Sequence, residues 1–538
     1  MPKTLRPVAL SGAPMGAYPF GASAIPGRRG EAVREARAKR VRPHWRAPTT
    51  RRALDWLHSR SARTGAQKGV TMAMFGARGG APADSGDMDA ARGLIEFIES
   101  SPTMFHAAAR IRERLDAAGF TYLPEGAAWS VVPGGSYYTQ RNGSSVVAWR
   151  VGSDVPAPAV GAAVSDGRRA PYRFQLAASH SDSPTFKVKA AAEVEGAGGS
   201  LRLDTEAYGG MIDYTWFDRP LTLAGRALVR EGGRIESRLV ALNRDVALIP
   251  SLAIHMNRDV NKAFSPNRAS DLFPLVSVGD LAAGSLDLLV ADALEVAPDQ
   301  VIARDLFLAV RDAGRVWGAI DEFISAPRLD DLMCAYASLE AFVAASNASA
   351  VTVFACFDNE EVGSETKQGA GSTLLVDTLS RVNAALGFGA EDYLRALSAS
   401  MLVSCDNAHA VHPAHPELAD PLAGPRLNGG LVVKEAANQH YCTDAFSRAV
   451  LTGILDDAGV RYQAFSNRSD MAGGSTLGNI SNTQVSLHAV DVGCAQLAMH
   501  SCCETAGSHD VALAIRALEA FYAADIRIEG AEAVTLGA

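Results

Sequence analysis

The chain predicts an α/β fold: a mainly parallel sheet with helices on both faces, interrupted by a β-rich insertion. Three observations carry this. After residue 327 short apolar runs alternate with amphipathic stretches, the pattern of strand–helix–strand units. Between about 191 and 326 that alternation stops, and β-rich runs such as 221–229 separate Gly-rich turns at 196–199 and 232–233. Several apolar runs end in acidic residues or histidine, and parallel sheets gather their sites at the carboxyl ends of strands.

Composition narrows the class. The 538 residues are 48% hydrophobic and 20% charged, which fits a globular chain. No apolar run reaches the roughly 18 residues of a membrane span. The seven cysteines all lie at or after Cys334 with no C-x-x-C spacing. That argues against a disulfide framework or a thiolate zinc site and suits the cytoplasm. Residues 1–87 carry a net charge of +11, leaving −19 for the remainder. This front is rich in Gly, Ala, Pro and Arg and lacks the apolar segment of a secretory signal. It reads as a disordered, dispensable extension over 1–86. Charge alone supports nucleic-acid contact, so no nucleic acid or membrane partner is expected.

Order is expected from about Asp87. Asp87 or Asp89 caps a helix whose apolar residues include Leu94, Ile95, Phe97 and Ile98. Ser101-Pro102 interrupts it, and a second helix runs to about 118, where Gly119 stops it. A strand over about 171–182 ends in His180-Ser181-Asp182. The insertion, over 191–326, then divides the α/β domain into 87–190 and 327–538. The second part predicts a helix over 332–345, a strand at 351–357, a helix over 372–386 and a strand at 401–405. Helices over 443–457 and 509–523 follow.

The strand at 351–357 runs into Asp358-Asn359-Glu360-Glu361. Three acids in four positions at the end of a buried strand call for a cation. Adjacent glutamates also permit a division of labour, one ligating a metal and the other serving as general base. Other strand ends and loops supply His180, Asp330, Asp406 and His500. Two histidines and three acids suffice for two zinc ions that share one carboxylate, with positions left open to water. Neither a G-x-S-x-G elbow nor an H-E-x-x-H helix is present.

Five motifs, in order, resemble the aspartyl aminopeptidases, a family of co-catalytic zinc exopeptidases. They are His180-Ser181-Asp182-Ser183-Pro184, Ser325-Ala326-Pro327-Arg328-Leu329-Asp330, Phe357 to Ser364, Asp406 to Pro413, and Gln496 to Ser501. The resemblance spans about Asp89 to the C-terminus. It implies that Asp330 bridges two metals, that His180 and Asp406 complete one site, and that Glu361 and His500 complete the other. It makes Glu360 the general base and Asp182 the partner that orients His180. Lys434 and Tyr441 fall in the family's substrate-binding stretch. His255 resembles a histidine that reaches a neighbouring subunit's active site, and the insertion resembles the family's dimerisation domain, commonly used to build dodecamers. His409, His412 and His415 resemble a metal cluster, but the family uses Asp406 beside them. Asp331 stands where many relatives carry Asn and adds a charge beside the bridging ligand. The expected protein is therefore a homo-oligomeric dizinc aminopeptidase acting on peptides that begin with Asp or Glu. Mn2+ or Co2+ would suit the same ligands. The alternatives are a broad or apolar N-terminal preference and a non-catalytic self-assembling scaffold.

Overall fold

The computed structural model describes residues 85–157, 170–530 and 533–537. The extension expected over 1–86 lies almost wholly outside them. Nine strands form the central sheet, in the order Thr121–Tyr122, Ser136–Arg141, Ser145–Val151, Val351–Phe357, Phe174–His180, Met401–Cys405, His488–Gly493, Leu431–Lys434 and Tyr462–Phe465. The four strands from Val351–Phe357 to His488–Gly493 run parallel, and antiparallel neighbours flank them on both sides.

These strands are mostly apolar because both of their faces are covered. Successive side chains point to opposite faces. Ala177, Phe354, Cys356 and Val403 enter one core. Leu176, Ala178, Val353, Ala355 and Leu402 enter the other. Helices Ser85–Glu99, Met104–Ala117, Leu329–Ala344, Ala445–Asp457 and Asp510–Ala523 supply the first core, and Leu374–Ala385 much of the second. Asp87 does not cap the first helix. It lies in its first turn and bonds to Arg516 and His509, joining that helix to Asp510–Ala523.

A second sheet is wholly antiparallel and holds seven strands: Val301–Val310, Thr185–Glu195, Leu201–Tyr208, Leu275–Ser277, Ala247–Leu248, Pro220–Glu231 and Arg234–Ala241. Val301–Val310 also pairs with Pro220–Glu231 along nearly its whole length, which closes the sheet into a ring. Phe186, Leu203, Trp216, Leu223, Leu306 and Leu308 pack its core. The stretch is not purely β, since a helix, Ser285–Leu294, contributes Leu286 and Val290 to the same core. Strands Arg315–Trp317 and Phe323–Ala326 pair elsewhere, in a five-stranded sheet with Glu504–Gly507, Ala495–Leu497 and Ala408–His409. That sheet presents the loop bearing His500. No helix of the described residues is long and apolar enough to cross a membrane.

Candidate metal centre

The parallel register brings the ligand candidates together. His180 ends its strand directly opposite Phe357, so the acidic turn that follows Phe357 emerges beside it. Asp406 follows Met401–Cys405 on the other side of the His180 strand. Asp330 and Asp331 open the long helix Leu329–Ala344 but lack helical backbone angles, and Arg328 before it is left-handed with φ 59°. Arg328 fixes that entry by donating to the carbonyls of Ser101 and Ile98, at 3.1 and 3.0 Å.

Two groups of ligand atoms result. One holds His180, Asp330, Asp331 and Asp406; the other holds Asp330, Glu361 and His500; within each, the atoms lie within 4.8 Å of one another. Asp330 belongs to both. Its Oδ1 lies 3.8 Å from His180 Nε2 and its Oδ2 3.5 Å from His500 Nε2. His500 Nε2 is 3.3 Å from Glu361 Oε1. The structure thus brings together His180, Asp330, Glu361, Asp406 and His500, and adds Asp331, which the sequence marked only as a neighbouring charge.

Hydrogen bonds aim these groups. His180 Nδ1 faces the Asp182 carbonyl at 3.1 Å and the Asp182 carboxylate at 3.5 Å, which turns Nε2 toward the cluster. The Asp182 carboxylate has closer partners. It accepts the backbone N–H of Glu360 and of Glu361, each at 3.1 Å, and the Tyr208 hydroxyl at 2.8 Å. Asp182 therefore sets the backbone of both glutamates as well as the imidazole. On the other side His500 Nδ1 faces the Gly210 carbonyl at 3.0 Å, in the turn after strand Leu201–Tyr208. Gly209 in that turn has φ +79°, and a Cβ there would lie 3.2 Å from Glu361 Cβ. Only a residue without a side chain fits both demands comfortably.

The charge balance calls for cations. Asp330 Oδ1, Asp331 Oδ1 and Glu361 Oε1 are buried without a hydrogen-bond partner. Burial pushes Glu360 up to about 8 and Asp406 up to about 6, in both cases with other carboxylates adding to the rise. Burial also raises Asp331 and Glu361. Burial opposes charge on His500, yet its bond to Asp330 and the nearby Glu361 carry it up to about 10. Without a cation, such crowding is relieved by binding protons. Divalent ions would displace them. Imidazole and carboxylate donors with unpartnered oxygens fit zinc.

The remaining candidates divide. Lys434 is buried at the end of Leu431–Lys434. Its Nζ donates to the carbonyls of Asp406 and Asn407, at 2.7 and 3.3 Å, and lies 3.8 Å from Asp406 Oδ2. The Tyr441 ring sits 5.1 Å from it. His255 lies in an exposed turn, outside both ligand groups. His409, His412 and His415 are exposed and also outside them.

Sequence reasoning missed Glu504, whose buried carboxylate accepts the N–H of Asp330 at 3.0 Å and of His500 at 2.6 Å. The available signal was an acid four residues past His500 among apolar neighbours. It missed Tyr208 and Gly210 as well, which nothing in their local sequence distinguishes.

Comparison with known proteins identifies the family. Residues 97–522 match the family model described as aminopeptidase I zinc metalloprotease (M18). A probable M18 family aminopeptidase 2 of Clostridium acetobutylicum is 41% identical over 441 residues, covering 81% of this chain and 99% of the relative. One from Pseudomonas aeruginosa is 39% identical over 439 residues, covering 80% and 97%. Among solved structures, Ape4 in its complex with Nbr1 superposes with a TM-score of 0.76 at 32% identity, covering 82% of this chain and 87% of that one. The S. cerevisiae mApe1 dodecamer does so with a TM-score of 0.69 at 28% identity, covering 81% and 96%. With the family model spanning most of the chain and these relatives matched over nearly their full length, this protein belongs to the M18 aminopeptidases, a family of zinc metalloproteases.

Proposed function

We propose that the protein is a dizinc aminopeptidase that removes one N-terminal residue from peptides, with Asp or Glu preferred, and that Glu360 is its general base. The observation that carries this is the shared Asp330 between two ligand groups, with Glu360 next to the ligand candidate Glu361 but in neither group. Zinc, when bound, supplies Lewis-acid polarisation of the scissile carbonyl and lowers the pKa of the attacking water. Glu360, held at its backbone by Asp182, takes the proton of that water and returns it to the leaving amine. His180, Asp406 and Asp330 would hold one zinc ion, and Asp330, Glu361 and His500 the other. The free amine of the substrate is anchored by the surrounding carboxylates, which limits cleavage to the chain end. With zinc restored, the protein is expected to cleave Asp- and Glu-anilides faster than Ala- or Leu-anilides. Equal rates on all four would remove the acidic preference, and no turnover on any would favour the scaffold reading.

A second reading, broad N-terminal preference, has one observation behind it. Lys434, the cation assigned to an acidic side chain, already spends donors on two carbonyls and sits against Asp406.

The ring-closed sheet is proposed as the oligomerisation element, in dimers that build a dodecamer, a state named for the yeast relative. Leu252, Ile254 and Met256 are exposed around His255, an apolar run suited to cover by a second copy. Light scattering is expected to give a mass many times that of one chain. His255→Ala should assemble normally yet lose activity if this histidine completes a neighbour's site; a fully active monomer would overturn the arrangement.

A further inference from the structure

Two buried carboxylates flank the ligand cluster in the same manner. Asp182 receives the amides of Glu360 and Glu361. Glu504 receives the amides of Asp330 and His500, residues brought together from segments far apart in sequence. Glu504 is 1% exposed and sits on the strand Glu504–Gly507, opposite Ala326 of Phe323–Ala326. That strand leads directly into the turn carrying Asp330.

His500 needs such a hold. Its φ of 67° is left-handed, a region that is unfavourable for a residue with a side chain and persists only where the surroundings impose it. Three contacts do so: its N–H on Glu504, its carbonyl accepting from Ile212 N–H at 3.0 Å, and its Nδ1 against the Gly210 carbonyl. Of these only Glu504 also holds a second ligand.

We propose that Glu504 is the positioning residue of the Asp330–Glu361–His500 group: one enclosed carboxylate fixes the backbone of two of its three ligands and so sets the affinity of that zinc site more than that of the other, which shares only Asp330. This rests on the assignment of those three residues to one zinc. Glutamine at 504 keeps the volume but presents an NH2 group to one of the two amides. The site should then bind zinc more weakly by about 10–100-fold, the usual effect of losing a group that orients a ligand. The His180–Asp406 side includes only Asp330 of the two residues Glu504 holds, so it should weaken less.

The test measures zinc per chain by mass spectrometry across a series of chelator-buffered zinc concentrations, using the full-length protein, Glu504→Gln, Glu504→Asp and His500→Ala. The native chain should hold two zinc ions and His500→Ala one. Glu504→Gln should pass from two to one at a zinc concentration about 10–100-fold higher than the native chain does. Glu504→Asp, which keeps both acceptors but withdraws them by one methylene, should shift in the same direction by less, and it supplies the reading if the glutamine variant does not fold. If His500→Ala keeps both ions, the ligand assignment fails and the inference with it. If His500→Ala loses one while both Glu504 variants titrate like the native chain, or lose both ions together, the ligand assignment stands and the role of Glu504 is overturned.

Discussion

Glu360→Gln is expected to lower turnover by about 10²–10⁴, the usual scale for a lost general base, while the protein folds, assembles and keeps its zinc. Glutamine preserves the size of the side chain and leaves the backbone bond to Asp182 untouched, but it cannot accept the water's proton. Substrate binding should change far less than turnover, because the lost interaction belongs mainly to the transition state. Glu361→Gln should behave differently. Glu361 Oε1 is buried, without a hydrogen-bond partner and 3.3 Å from His500 Nε2, the position of a ligand atom. Its loss weakens one metal site, so activity should partly return as zinc is raised. A zinc titration of both variants, with metal content measured alongside, separates the roles. If Glu360→Gln recovers with zinc and Glu361→Gln does not, the two roles are exchanged and the mechanism is wrong.

Lys434→Met is expected to have the next largest effect. Removing one partner of an enclosed charge pair costs about 2–5 kcal/mol, or roughly 30-fold to several thousand-fold in an equilibrium or rate ratio. If the Lys434 ammonium meets an acidic substrate side chain, kcat/KM on an Asp substrate should fall by that factor beyond any fall on an Ala substrate. Its contacts with Asp406 also predict a common loss on both substrates, since Asp406 loses its nearest cation. Kinetics on the two substrates, paired with zinc content, divide the effect. Equal losses accompanied by lost zinc would assign Lys434 to Asp406 alone and leave the broad preference standing.

The legibility of this chain followed burial. The strands expected at 351–357 and 401–405 match Val351–Phe357 and Met401–Cys405, because a strand covered on both faces is apolar at most positions and ends where charged chemistry begins. The helix expected over 332–345 starts instead at Leu329, since Asp330 and Asp331 occupy its first positions in non-helical backbone to serve the cluster. The convergence of His180, Asp330, Glu361, Asp406 and His500 was legible because side chains able to bind metals are few in kind and stood in a familiar order. Glu504, Tyr208 and Gly210 were not. Apart from the Glu504–His500 bond, which spans four residues, they act on a backbone amide, on a carboxylate and through a carbonyl across separations of 26 to 290 residues, and such contacts leave no mark on local composition. Ring closure was hidden for a related reason, as it depends on Val301–Val310 finding Pro220–Glu231.

The turn at 209–212 has a consequence for engineering. It belongs to the ring-closed sheet, yet it holds His500 from two sides and passes within van der Waals reach of Glu361. The ring is therefore not an interchangeable cassette. Any foreign module spliced between the strand ending at His180 and the helix beginning at Leu329 would have to reproduce a carbonyl where Gly210 offers one, an amide where Ile212 offers one, and a bare Cα at 209. A graft lacking these would leave the Asp330–Glu361–His500 group without the backbone that now holds it.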